Sequence, residues 1–270
     1  DNLENFDFSN TKFDSISEFT FDLSKKFKIR NLKVDSKLNL DELILKNDLY
    51  KIKNYIKNYN NFINLKENKL HIKYSKQKIL IDGSSDFYID DNFKNLIKFQ
   101  IEKSKNKTNF ETFLNLENLH LIAEDISYNK IKNDNAILQI KGFKNKKKLF
   151  FRNINYKENN NKIEINNLEI NNNKILNIDE VRFDYFTKNN FKNQITLIKK
   201  NNNYELTGKS FDSIKLIENI SNSETDKNFF EIFKNLNSKI KIAIREVKLD
   251  DKNTVNNLNG NLEIKNSKIF

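Results

Sequence analysis

The chain contains no cysteine, proline, methionine or tryptophan, and only four glycines. The missing thiols exclude disulfides, zinc knuckles and thiol nucleophiles together, and leave the redox compartment open. Long apolar runs are missing as well: none exceeds three residues, as in Leu43-Ile44-Leu45, Ile79-Leu80-Ile81 and Ile242-Ala243-Ile244. A membrane-spanning helix needs about 20 such residues and a secretory leader about 7 to 15, so neither lies within this segment. The chain opens at Asp1 and closes at Phe270 amid strand-like alternation. It therefore reads as one elongated segment, residues 1–270, of a larger protein whose anchor lies elsewhere.

Charge of one sign is not missing, since the formal net charge is +11. Lysine, asparagine and isoleucine are abundant together, which is how an AT-rich genome spells a protein. The lysines alternate with Asp, Glu and Asn, and the densest run, Lys144 to Lys148, falls at a turn. Nucleic-acid binders concentrate charge in a stripe with stacking aromatics, so no nucleic-acid partner is expected.

What is present is alternation with a period of two. Leu70, Ile72 and Tyr74 point one way while His71 and Lys73 point the other. The same period returns in Ile163/Ile165, Leu168/Ile170, Val181/Phe183/Tyr185 and Leu262/Ile264. In Ile240-Lys-Ile-Ala-Ile244 followed by Arg245-Glu246-Val247 the apolar parity flips at Arg245/Glu246, which predicts a bulge or strand end. The connections 157–161, 171–173 and 199–203 are rich in Asn, which tolerates the left-handed backbone of hairpin turns, so the topology reads as a meander. Leu38 to Leu45 also reads as a strand. Helical spacing predicts short helices in 47–59, 211–220 and 228–236, with a polar linker over 221–228. The four glycines, Gly83, Gly142, Gly208 and Gly260, all sit beside strands at separations of 52 to 66 residues, a loose repeat in which each marks a bend or bulge. Hydrophobic residues make up 37% of the chain, which suits an open sheet with one covered face better than a layered globule.

Chemical motifs fail on inspection. Gly208-Lys209-Ser210 lacks the glycine five positions upstream that a phosphate loop requires, because Asn203 stands there. His71 and His120 have no metal-ligand spacing. Asp90-Asp91 and Asp250-Asp251 read as turn residues rather than an acid/base pair, and the sequons at Asn106 and Asn219 are ordinary in so Asn-rich a chain. No catalytic residue, metal site or cofactor is expected, and the chain reads as a non-enzyme. The apolar strand faces then admit two readings: a dry core against another layer, or a groove floor filled by lipid acyl chains. Burying a methylene stabilises by roughly 0.8 kcal/mol, so a groove holding a sixteen-carbon chain offsets on the order of 10 kcal/mol of transfer cost.

From Gly208 onward the order of residues is distinctive: Gly208-Lys-Ser-Phe211-Asp212, then Leu216-Ile217, a polar insert, Ile240 to Leu249, and Leu258-Asn-Gly-Asn-Leu262. Residues 204–270 thereby resemble a block of the AsmA-like family of bacterial envelope proteins, of the YhdP and TamB type. The block departs from the family pattern in lacking Pro in the helix and Gly in the insert. The resemblance implies a mainly β fold, an elongated, twisted antiparallel sheet curled into a gutter with a few short helices. It implies an inner-membrane tether by a helix outside this chain, a periplasmic location, and conduction of phospholipids between inner and outer membranes. The groove floor is then assigned to one strand parity: Leu70, Ile72, Tyr74, Ile163, Ile165, Ile240, Ile242 and Ile244. The competing expectation is a structural or adhesive β-rich surface protein with a dry core.

Overall fold

The computed structural model describes residues 5–8, 11–46, 53–57, 59, 62–89, 93–172, 174–221, 237–265 and 268–269. The strands are β1 (Phe6–Asp7), β2 (Phe13–Leu23), β3 (Ile29–Lys46), β4 (Phe62–Ser75), β5 (Lys78–Tyr88), β6 (Asn95–Lys103) and β7 (Thr108–Asn115). A small hairpin follows, β8 (Leu121–Ala123) and β9 (Tyr128–Lys130), joined by a 3-10 turn at Glu124–Ile126. The main series resumes with β10 (Ala136–Asn145), β11 (Lys148–Glu158), β12 (Asn161–Asn171), β13 (Lys174–Asn177), β14 (Glu180–Phe186), β15 (Lys192–Lys200) and β16 (Asn203–Asp212). Helix α1 (Ile214–Ser221), β17 (Ser238–Lys248), β18 (Thr254–Lys265) and β19 (Lys268–Ile269) complete the order.

All strands except β8 and β9 belong to one seventeen-stranded sheet. Its pairing follows the chain from β2 through β7, steps over the β8–β9 hairpin to β10, and continues to β19. β1 and β2 share one edge of β3, and β13 and β14 share one edge of β12. The result is a mainly β, open meander, as the alternation predicts. Neighbouring hairpins account for the turns: Asn159, Asn172 and Asn201 all take positive φ where the Asn-rich connections were expected to reverse the chain.

Two expectations are corrected. The sheet is not antiparallel throughout, because β16 and β17 pair in parallel, from Tyr204↔Ile240 to Asp212↔Lys248. A parallel neighbour needs a crossover rather than a hairpin, and the stretch containing α1 supplies it. Of the three expected helices, only α1 stands among the described residues as a full helix. β16 runs on to Asp212, so the helix begins at Ile214 rather than Phe211. The stretch 228–236 lies outside the described residues, as does most of 47–59, of which Ile56 forms a bridge to Leu121.

The residues quoted for the family resemblance have local physical roles. A Cβ on Gly208 would lie 2.6 Å from the Gln194 carbonyl oxygen, where the β15–β16 register shifts. The Ser210 hydroxyl donates to the Lys192 carbonyl at 2.5 Å. The buried Asp212 carboxylate accepts the first helical N–H, that of Ile214, at 3.2 Å, and thereby starts α1.

Candidate functional site: the apolar face of the sheet

Paired residues in a sheet point to the same side, so the register assigns every side chain to a face. One transverse row reads Leu38, Leu70, Gly83, Phe99, Thr112, Ile140, Ile154, Ile165, Val181, Leu197, Leu206, Ile242 and Gly260. On one side of it runs Ile72, Ile81, Ile101, Phe110, Gly142, Phe151 and Leu168. On the other runs Ile97, Leu114, Leu138, Tyr156, Ile163, Phe183, Ile195, Gly208, Ile244 and Leu258. The opposite face, one residue away, reads Lys37, His71, Asp82, Gln100, Glu111, Lys141, Asn153, Asn166, Glu180, Ile198, Glu205, Lys241 and Asn261. Along these three rows one surface of the sheet is therefore uncharged and almost wholly apolar from β3 to β18, with Thr112 as an exception, while the reverse is mainly polar but also carries Leu80, Phe113, Phe143, Phe150 and Ile198.

The polar side is knitted across strands. Gln100 donates to Asp82 at 2.7 Å, Lys141 pairs with Glu111 at 2.7 Å, and Asn153, Asn166 and Glu180 form a chain with links of 2.9 and 2.8 Å. His71 lies 2.6 Å from Asp35, and that hydrogen bond holds the Asp35 carboxyl below its ordinary value. Asp250 is a turn acceptor, taking the N–H groups of Lys252 and Asn253 at 2.8 Å each.

Glycines and bulges shape the apolar side. Phe99 lies over Gly83, with its Cζ 2.4 Å from where a Cβ would stand. The parity flip at Arg245 follows the register shift between β15 and β16 at Gln194/Ile195: β17 stays in step with β16, with Ile244 opposite Gly208 and Val247 opposite Phe211, and Ile244 and Val247 pack in one cluster. On β18 the matching residue, Asn257, takes a φ of 56°. Lys209 is the extra residue against β15, and β17 and β18 follow β16 without a further shift, so one bulge line crosses the three strands and increases the local twist.

One end of the apolar face is covered from within. Residues 116–135, which include β8 and β9, pack Leu116, Leu119 and Tyr128 against Phe87, Ala136, Tyr156 and Tyr185, with Leu114, Leu138, Ile163 and Phe183 beneath. We call this segment the lid. The Tyr128 hydroxyl meets Tyr156 at 2.7 Å and donates to the buried Glu158 carboxylate, while Tyr185 donates to the Ile126 carbonyl at 2.7 Å. Burial raises the pKa of all three tyrosines, so they stay neutral donors. Lys130 is fully buried, and its ammonium donates to the carbonyls of Glu117, Leu119 and Ile131 at 2.8, 2.8 and 2.9 Å. Burial pulls its pKa below the usual lysine value.

All eight residues assigned from sequence to the groove floor share the apolar face, but their surroundings differ. Leu70, Ile72 and Tyr74 are half-buried and stand outside the three buried clusters. Ile163 lies under the lid, Ile165 and Ile240 pack around Ile178 and Tyr204, and Ile242 and Ile244 pack with Val247. The open stretch includes Leu38, Phe99, Ile101 and Ile140, residues that alternation within single strands did not join into one surface. The lid was also missed; its signal was Tyr128 and Lys130, chemically amphipathic residues two apart, without any period long enough to stand out. Among the described residues, no cluster of three His, Cys, Asp or Glu could hold a metal ion, and no helix is long and apolar enough to cross a membrane. No family model, curated protein or solved structure matches the chain.

Proposed function

We propose that the apolar face is a lipid groove, and that the chain is a segment of a periplasm-spanning lipid-transfer protein. Phospholipid acyl chains lie on the rows through Leu70, Ile72 and Phe99, while headgroups remain in water. The observation that carries the reading is the continuity of those rows across strand after strand, with no charged residue in them and Thr112 as the polar member. Apolar attraction is non-directional, so such a floor holds an acyl chain without a fixed polar contact and lets it advance from row to row. The resemblance of 204–270 to the AsmA-like family points the same way and brings with it the inner-membrane tether and the traffic between two membranes. Both membranes are engaged through regions outside this chain.

A structural protein with a dry core draws support from the lid, which shows that part of the face is filled by the chain itself. Native mass spectrometry and solvent extraction of the purified chain separate the two. Co-purifying phospholipid is expected, at a ratio that persists through gel filtration. A chain reproducibly free of lipid that also excludes apolar dyes overturns the groove.

A further inference from the structure

The edge of the sheet formed by β2 differs from the rest of the molecule. All eleven of its residues are exposed, among them Phe13 at 68%, Ile16 at 76% and Phe19 at 61%. Among the described residues, no strand pairs with its outer side. Soluble proteins commonly protect such an edge with lysine or proline. This chain carries 48 Lys and Arg in 270 residues, yet Phe13–Leu23 has none. It has instead Asp14, Glu18 and Asp22. Asn39 on β3 donates to Asp14 at 2.8 Å, and Asn31 donates to Asp22 at 2.6 Å. Glu18 stands opposite Asp35, which is engaged by His71 and Lys73. Arg30, Lys33 and Lys37 of β3 stand opposite Asp22, Thr20 and Ile16 on the same face, but no ion pair among the described residues involves the three acids, so a line of carboxylates without ion-pair partners borders the polar side of an open, apolar-bearing edge.

From this edge we infer that β2 is a docking site for an extended partner strand that alternates basic and apolar residues, joined by β-augmentation. Backbone N–H and C=O groups of β2 supply the ladder, Asp14, Glu18 and Asp22 meet the partner's Lys or Arg on the polar face, and Phe13 and Phe19 meet its aliphatic side chains on the other. Charge argues against a second copy pairing β2 to β2, because an antiparallel match about Glu18 sets acid against acid. The inference concerns the edge alone and is independent of what occupies the apolar face.

A labelled synthetic peptide copying Ser238–Lys248, SKIKIAIREVK, has the required pattern and serves as the probe, titrated into the full chain. Saturable binding is expected, with slowed amide exchange confined to 13–23. A peptide with glutamate in place of each Lys and Arg, and the exposed-site variant Asp14→Lys/Glu18→Lys/Asp22→Lys, should each weaken binding about tenfold or more. Circular dichroism establishes that the variant keeps its strands. No binding, equal binding of the two peptides, protection outside β2, or a chain already dimeric through β2 would each overturn the proposal.

Discussion

At the scale of the residue, glycines on the apolar face are set by what stands over them. A Cβ on Gly142 would come within 2.3 Å of the Phe150 carbonyl oxygen, a backbone atom in the neighbouring strand, beside the register shift at Lys141/Gly142. Backbone in a paired strand cannot step aside as a side-chain tip can. Gly142→Ala should therefore destabilise by about 1–3 kcal/mol. Gly260 has nothing within 4 Å of the same point. There Gly→Ala should be neutral or stabilising by up to about 1 kcal/mol, through the unfolded chain. Urea midpoints of the two variants measure the difference, and equal midpoints would remove the steric reading of Gly142. The sequence marked both glycines as bends; only the register separates a crowded bulge from an edge position with room to spare.

At the scale of the element, the lid is held by polar bonds as well as by packing. Lys130 donates three hydrogen bonds to three carbonyls of the segment it helps to fold, 117, 119 and 131. Lys130→Met keeps the stem and removes the donor, which strands those carbonyls away from water. The expected cost to lid closure is about 3 kcal/mol, or the full opening free energy of the lid if that is smaller. Limited proteolysis should then cut first within 116–135 while the sheet remains resistant, and an unchanged cleavage pattern would show that packing alone closes the lid. Strand assignments were legible because period two survives single substitutions: β4, β12 and the first half of β17 are plain in the letters. Strand direction was not, since Ile240-Lys-Ile-Ala-Ile alternates equally well beside either orientation of β16. The lid was not legible because its order comes from contacts between residues far apart, such as Tyr185 with Ile126.

At the scale of the whole molecule, the sequence carried the two-sidedness of the sheet and concealed how unevenly its apolar side is covered. Parity put Leu70 and Ile163 on one face correctly, yet it contains no information on which of them lies beneath 116–135. That difference separates a groove from a core, because charge on an open surface can stay hydrated while charge under a lid cannot. Ile72→Asp lies on the open stretch, and Leu138→Asp lies under the lid. If acyl chains occupy the open rows, Ile72→Asp should cost at most about 1 kcal/mol of stability, within the range of surface changes, yet lower the amount of co-purifying phospholipid several-fold. Leu138→Asp should cost about 3 kcal/mol or more, as burial of an unpaired carboxylate does elsewhere. Chemical denaturation and lipid extraction on the same preparations read both quantities. Should Ile72→Asp prove as destabilising as Leu138→Asp, the open rows are closed in solution by protein, and the face belongs to a dry core.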